Sequence, residues 1–258
     1  MSDPKPPGPI DPWGPLRLAT TARIGLGRRG DAMPLQSVLE FQAAHAKARD
    51  AVHAPLDVEA LAAALGGHEV LTLASEAPDR ATYLRRPDLG RRLSPTSIET
   101  LANAETGFDI AFVVADGLSA TAVAQNAAPL LHAAVRRLGD LRIAPVVVAT
   151  QARVALGDDV GAALGARLVA VLIGERPGLS VAESLGIYLT FDPLRGRRDS
   201  ERNCISNVHS LGGLSYEQAA DKLAWLVREA LKRGVTGVAL KEDEGATRID
   251  GASAPVLE

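Results

Sequence analysis

The hydrophobic and polar positions of the chain follow two patterns, and the change falls near Phe108. Residues 16–104 are rich in helix-forming segments. Leu35–Val52 is Ala-rich and built from good helix formers. Asp57 can cap the next helix, "VEALAAALG", which Gly66 and Gly67 stop. "EVLTLAS" reads as a short strand, and "SPTSIETLANA" opens on a Ser/Pro helix-start signal. From Phe108 onward, continuous apolar runs alternate with helical stretches. The runs are "DIAFVVADG", "RIAPVVVAT", "RLVAVLIGE" and "LGIYLTF". Helices are expected over Ala120–Arg137, near Val160–Leu164, and over "SYEQAADKLAWLVREALKRG", capped by Ser215 and closed by Gly234. "VTGVAL" reads as a final strand. Runs without polar alternation belong to strands covered on both faces, as in parallel sheets. The expected fold is α/β: a Rossmann-like, doubly wound, mainly parallel sheet preceded by a smaller, mostly helical N-terminal region.

The ends differ in composition. The first fifteen residues hold six prolines, so residues 1–15 are expected to form an extended arm. Residues 241–258 are polar and rich in small side chains, and read as a flexible tail. Between them lie the helical region, 16–104, and the Rossmann-like domain, 105–240. Aromatic residues make up 3% of the chain, so Ala, Val and Leu must fill the core. A net charge of −3 gives no general attraction for nucleic acid, and "LRGRRD" reads as a solvated loop. The single cysteine, Cys204, allows no internal disulfide and fits a reducing, cytoplasmic setting. No apolar run approaches a membrane span, and the N-terminus lacks the apolar core of a secretory signal.

Two motifs look like sites and fail on context. Gly25, Gly27 and Gly30 have G-x-G-x-x-G spacing, with Asp50 twenty residues after the last glycine. A dinucleotide fingerprint needs a buried strand before it and a helix directly after it. "RLATTAR" is a poor buried strand, Asp31–Pro34 delays the helix, and Asp50 sits near a helix end. Asn207, His209 and Gly212 approach D-x-H-x-x-G, a cobalt-ligating motif in one class of cobalamin proteins. Here the aspartate is Asn207, and the segment follows the fourth run rather than the first. A surface or interface histidine is the expectation for His209. The five histidines show no zinc-ligand spacing with Cys204. No nucleophile elbow and no P-loop appears.

In a doubly wound fold, ligands meet the loops at the carboxyl ends of the strands. Asp116, Arg153, Val154, Glu175 and Arg176 should project from that one edge, with the polar loop "DSERNCISNVHSLGG" within reach. Acids, arginines, glycines and small polar groups suit a large ligand rich in amides or phosphate. Taken singly, each is ordinary turn chemistry, and Glu175 can pair with the adjacent Arg176.

Four segments carry a resemblance. "RIGLGRRGDAMPLQSVLEFQAAHAKARDAVHAPLD", "FVVADGLSATAV", "LIGERPGLSVAESLGIYLTF" and "ERNCISNVHSLGGLSYEQAADKLAWLVREAL" resemble the small subunit of ethanolamine ammonia-lyase, from about Arg17 to Leu240. The resemblance implies a subunit of an adenosylcobalamin-dependent ammonia-lyase that converts ethanolamine to acetaldehyde and ammonia by a radical mechanism. It implies a large-subunit partner with a barrel that holds the substrate site, in an assembly of six large and six small subunits. The small subunit covers the lower side of the cobalamin, which keeps its own benzimidazole base on cobalt. The family's cobalamin contacts carry over to Val154 of "QARV", Glu175 of "GERPG" and Cys204 of "NCISN". No catalytic residue and no metal ligand is expected in this chain, which alone should be inactive. The glycine-rich stretch then reads as assembly surface, and the helical region as the face toward the large subunit. A bacterial microcompartment is left open as the enzyme's location. Two other readings stand beside this one: a free-standing Rossmann-type enzyme using a nucleotide or S-adenosylmethionine, and a purely structural assembly subunit.

Overall fold

The computed structural model describes residues 11–20 and 22–241. Six strands form one sheet: β1 (Val70–Ala74), β2 (Ile110–Ala115), β3 (Val146–Thr150), β4 (Leu168–Gly174), β5 (Leu185–Phe191) and β6 (Arg202–Val208). Their order is β1-β3-β2-β4-β5-β6. Neighbours are parallel except that β5 runs antiparallel to both β4 and β6. The helices are α1 (Gly14–Ala19), α2 (Leu35–His53), α3 (Val58–Ala64), α4 (Arg80–Arg85), α5 (Pro95–Ala102), α6 (Ala120–Arg137), α7 (Leu156–Ala163) and α8 (Tyr216–Arg233). The chain is therefore an α/β protein of the Rossmann-like kind.

Every residue of β2 and β4 is buried, as continuous apolar runs require. Alternate side chains enter two cores. Ile110, Phe112 and Val114 pack with α6 and α8, while Ala111, Val113 and Ala115 face the side covered by α7 and α5. The amphipathic α8 opens on a capping box between Ser215 and Gln218 and closes at Gly234, whose φ of 71° is left-handed. β1 lies in the stretch expected to be mostly helical, yet it is the edge strand of the same sheet, paired with β3.

Four segments differ from expectation. "RNCISNV", read as part of a polar loop, is β6. Arg202, Ile205 and Val208 are buried along it, while Cys204, Ser206 and Asn207 are exposed. An edge strand with one face open carries a polar pattern that resembles a loop. "VTGVAL", read as a final strand, contains a 3-10 turn at Gly237–Ala239. Thr236 Oγ1 donates to the Glu201 carbonyl at 2.7 Å, and Gly237 N donates to Asn203 Oδ1 at 2.8 Å. These contacts bind the segment to the edge of β6 without a ladder. The short α1 and α4 were not anticipated.

One buried ion pair ties α7 to the antiparallel end of the sheet. Arg202 Nη1 and Nη2 reach Asp158 Oδ1 and Oδ2 at 2.6 and 2.7 Å. Both side chains are 1% exposed. Arg202 also donates to Thr190 Oγ1 at 2.8 Å and to the Arg197 carbonyl at 3.0 Å. Those further acceptors offset the desolvation of the guanidinium. Thr190 and Arg202 face each other across β5 and β6. The pair thus covers one end of that sheet face, and Tyr188, Cys204 and Ser206 continue it toward the carboxyl edge with less cover. Arg202→Met, which leaves Asp158 buried and unpaired, is expected to cost about 3–5 kcal/mol in urea unfolding. Replacing both partners with apolar residues should recover most of that loss. A single-variant cost below about 1 kcal/mol would show that the pair does not hold α7 in place.

Candidate functional site

The connection after β2 crosses by α6 on one face, and that after β3 by α7 on the other. β2 and β3 are adjacent, so a topological switch point lies at their carboxyl ends. Asp116 fills it. Its carboxylate accepts from Gln151 N at 2.9 Å, Ala152 N at 3.0 Å and Arg80 Nη1 at 3.4 Å. Burial pushes the carboxyl above its usual range, and the Ala152 and Gln151 amides oppose the shift. Asp116 therefore staples β2 to β3 and does not line the adjoining cavity. Beside it, Gly117 (φ 56°) leaves no room for a side chain, because a Cβ there would collide with the Gly174 carbonyl.

A cavity of about 450 Å³ opens next to this staple. Leu118, Val154 and Ile173 give it apolar wall, and Arg153, Glu175, Arg176 and Ser206 give it polar groups. Tyr83 also lines it; its ring is fully buried and its hydroxyl donates to the Ala152 carbonyl at 3.1 Å. Burial raises the Tyr83 pKa, so the phenol stays neutral. The Arg153 guanidinium lies 4.3 Å from the ring centroid and that of Arg80 4.8 Å. Gly90 admits this packing, since a Cβ would sit 2.9 Å from the Tyr83 ring. Sequence reasoning missed Tyr83. The signal was Asp79, whose carboxylate caps α4 by accepting from Thr82 N at 2.8 Å.

Glu175 follows β4 directly. Its Oε2 accepts from Ser184 Oγ at 2.5 Å and from Asn207 N at 3.3 Å, and its Oε1 accepts from Ser206 Oγ at 2.5 Å. Its partners are thus these three donors rather than Arg176, which is exposed at the cavity. Asn207 has a left-handed φ of 66°, a conformation asparagine tolerates better than most residues. Cys204 stands opposite Tyr188 in the β5–β6 register. Partial burial of the sulfur against the sheet pushes its pKa up, and the negative charge of Glu175 adds to the shift. Cys204 lines a neighbouring depression along β6 rather than the main cavity, and Ser206 borders both. Val154 and Glu175 therefore share one cavity, and Cys204 lies on the strand beside it.

The two decoys resolve differently. His209 is 6% exposed, not a surface side chain. Leu211 N donates to its Nδ1 at 3.1 Å, so its Nε2 carries the proton that Asn207 Oδ1 receives at 2.8 Å. Both ring nitrogens are engaged in shaping the turn after β6. Gly25, Gly27 and Gly30 have positive φ, but among the described residues no strand precedes them. Trp13 packs over Gly25, and Arg17 Nη1 donates to the Gly25 carbonyl at 2.7 Å. Arg23 Nη2 donates to the Leu179 carbonyl at 3.1 Å, which links this stretch to the loop between β4 and β5. Asp50 lies in the last turn of α2. In "LRGRRD", Arg195 pairs with Asp159, and Arg197 with Asp192 and Glu201. Among the described residues, no cluster of three or more His, Cys, Asp or Glu side chains has the geometry to hold a metal ion.

Comparison with known proteins agrees over nearly the whole chain. Residues 10–241 match the family model for the ethanolamine ammonia-lyase light chain. The ethanolamine ammonia-lyase small subunit of Rhodococcus erythropolis is 52% identical, over 96% of each chain. That of Bradyrhizobium diazoefficiens is also 52% identical, over 99% of this chain and 100% of the relative. That of Azotobacter vinelandii is 50% identical, over 98% of this chain and 96% of the relative. A family match over residues 10–241, with identity of this extent over nearly the whole chain, means that the chain belongs to the ethanolamine ammonia-lyase light chain family.

Proposed function

We propose that this chain contributes half of an adenosylcobalamin site to an ethanolamine ammonia-lyase, the enzyme that converts ethanolamine to acetaldehyde and ammonia. The observation that carries this reading is the meeting of Val154 and Glu175 in one cavity with Cys204 on the adjacent strand. The three come from three separate segments of the chain. The residues present suit the cofactor. Cobalamin has a broad apolar body, a periphery of amides and a phosphodiester, and it brings its own cobalt and base. It therefore asks the chain for apolar wall, acceptors and positive charge rather than metal ligands. Leu118, Val154 and Ile173 supply the wall, Glu175 an acceptor, and Arg153 and Arg176 the charge.

When bound, the cofactor supplies the radical chemistry that protein side chains lack. The work of this chain is to bind, orient and exclude water. Val154 and Ile173 would cover apolar surface, Glu175 would fix one edge by a hydrogen bond, and the Cys204 side chain is small enough to permit close approach. The substrate site belongs, in this reading, to the barrel of a large subunit, in an assembly of six large and six small chains. Exposed apolar side chains on the N-terminal segment support a partner there: Trp13, Leu16, Met33, Leu35, Leu39 and Phe41 are all at least 43% exposed. Among the described residues, no helix is long and apolar enough to cross a membrane.

The isolated chain is expected to show no deamination of ethanolamine, and activity should appear on mixing with the large subunit and adenosylcobalamin. Turnover by the purified chain alone would refute the reading. Val154→Asp, which sets a charge in the apolar wall, should weaken cobalamin binding to the assembled enzyme about tenfold or more while the isolated chain still folds. An unchanged spectroscopic titration would remove Val154 from the site. If the complex is assembled with this chain carrying nitrogen-15 histidine, the electron paramagnetic resonance splitting of bound cobalamin should not respond to the label. A response would mean that a histidine such as His209 ligates cobalt.

A further inference from the structure

One guanidinium joins α2 to the turn beside the cavity. α2 is attached lightly: of its nineteen residues only Ala48 and Ala51 are buried. Its first half carries the exposed Leu35, Leu39 and Phe41. Its last turn ends in carbonyls without helical partners, at the negative end of the helix dipole. Arg80, which opens α4, donates from Nε to one of these, the Val52 carbonyl, at 2.7 Å. The other arm of the group faces the turn after β2. Arg80 Nη1 donates to the Gly117 carbonyl at 2.9 Å and to Asp116 Oδ2 at 3.4 Å. The side chain is 15% exposed and lies against the Tyr83 ring. Arg80 itself does not line the cavity. Gly117 does, and Asp116 accepts the amides that precede Arg153 and Val154 in its wall.

We infer that Arg80 is a positioning residue: through it the end of α2 holds the Asp116–Gly117 turn, and with it the cavity wall, in the shape that receives the ligand. The inference rests on the cobalamin reading above and goes beyond it in tying the site to the helix that offers an apolar face to a partner. Two properties of arginine are used. Its planar fork spans acceptors on two separate segments, which the single nitrogen of a lysine does less well. Its fixed charge favours the ionised carboxylate, whose Oδ1 serves Ala152 N while Oδ2 serves Gln151 N. The charged and titratable groups around Asp116 are Arg80 and Tyr83 of α4 and, on the turn after β3, Arg153, whose guanidinium lies over Tyr83. Of these, Arg80 is the one within hydrogen-bond distance of the carboxylate. Burial pushes Asp116 up and Arg80 opposes the rise, so loss of Arg80 moves protonation of Asp116 to higher pH.

The test is spectroscopic titration of the complex with the large subunit by adenosylcobalamin, from about pH 5.5 to about pH 8. Arg80→Met should bind roughly tenfold or more weakly at neutral pH. The deficit should widen as the pH falls, because Asp116 takes up a proton and one of the two amides loses its acceptor. Arg80→Lys keeps the charge and loses one arm of the bridge. It should recover the pH profile of the wild type but not its full affinity. Amide hydrogen exchange at Gln151, at Ala152 and in the last turn of α2 should be faster in Arg80→Met. A purely structural role would lower thermal stability and leave the pH profile parallel to that of the wild type. A parallel profile in Arg80→Met, full affinity in Arg80→Lys, or unchanged exchange at the end of α2 overturns the inference while leaving the cofactor reading intact. If Arg80→Met does not assemble, the affinity of Arg80→Lys decides alone. No cobalamin binding by the wild-type complex overturns both.

Discussion

The carboxylate of Asp116 is the constraint on which the site depends. It sits at the end of β2 and accepts the backbone amides of Gln151 and Ala152 at the end of β3. A buried acid in this position is tolerable only with such donors, because an unpaired one would be driven to protonate. By fixing Ala152 it fixes the turn that carries Arg153 and Val154. The turn after β2, which carries Gly117 and Leu118, approaches β4 backbone to backbone. Leu118 N donates to the Gly174 carbonyl at 2.9 Å, and a Cβ on Gly174 would clash with the carbonyl oxygens of Asp116 and Ser119. Glu175 is the next residue. One side chain and two glycines thus set the relative positions of both cavity walls. They also fill the point where a nucleotide phosphate would sit in a dinucleotide-binding fold, which weighs against a free-standing nucleotide enzyme.

A second constraint comes from the width of the sheet. The helices over one face cover the parallel strands and reach β5 and β6 at the Arg202–Asp158 pair. Toward the carboxyl edge of that face, β6 turns Cys204 and Ser206 outward. Such an opening beside a cavity suits a ligand broader than the cavity, shared with another surface. The hairpin order of β4, β5 and β6 makes this possible, because β6 returns to the direction of β4 and delivers Ser206 and Asn207 to the end where Glu175 emerges.

Much of this was legible in the sequence, for physical reasons that can be named. β2, β3 and β4 announced themselves because strands buried on both faces have no polar alternation. α8 did so because Ser215 caps it and Gly234 closes it, while the Ser119 cap of α6 is seen only in the structure. The grouping of Val154 with Glu175 followed from strand direction alone. β6 was hidden because its exposed side chains sit between apolar ones without a clean period. Tyr83 was hidden because its helix spans only six residues, too short for periodicity. The partners of Glu175 could not be read either, since Ser184, Ser206 and Asn207 are brought to it by the pairing of β5 with both neighbours. The burial of His209 depends likewise on a local turn in which Leu211 and Asn207 satisfy its ring.

The proposal that this chain completes a site shared with a partner is supported by how its polar groups are used. The strongest polar groups at the carboxyl edge are already committed: Asp116 to backbone amides, the Tyr83 hydroxyl to a carbonyl, His209 to its own turn. A general acid or base needs a titrating group free to exchange a proton with substrate. Here burial raises the pKa of both Tyr83 and Cys204, further from the range in which either would exchange a proton near neutral pH. What lines the cavity at this edge is the Glu175 carboxylate, two arginines and an apolar wall. Groups of that kind hold and orient a large molecule, and they leave its reactive centre to the surface that closes over it.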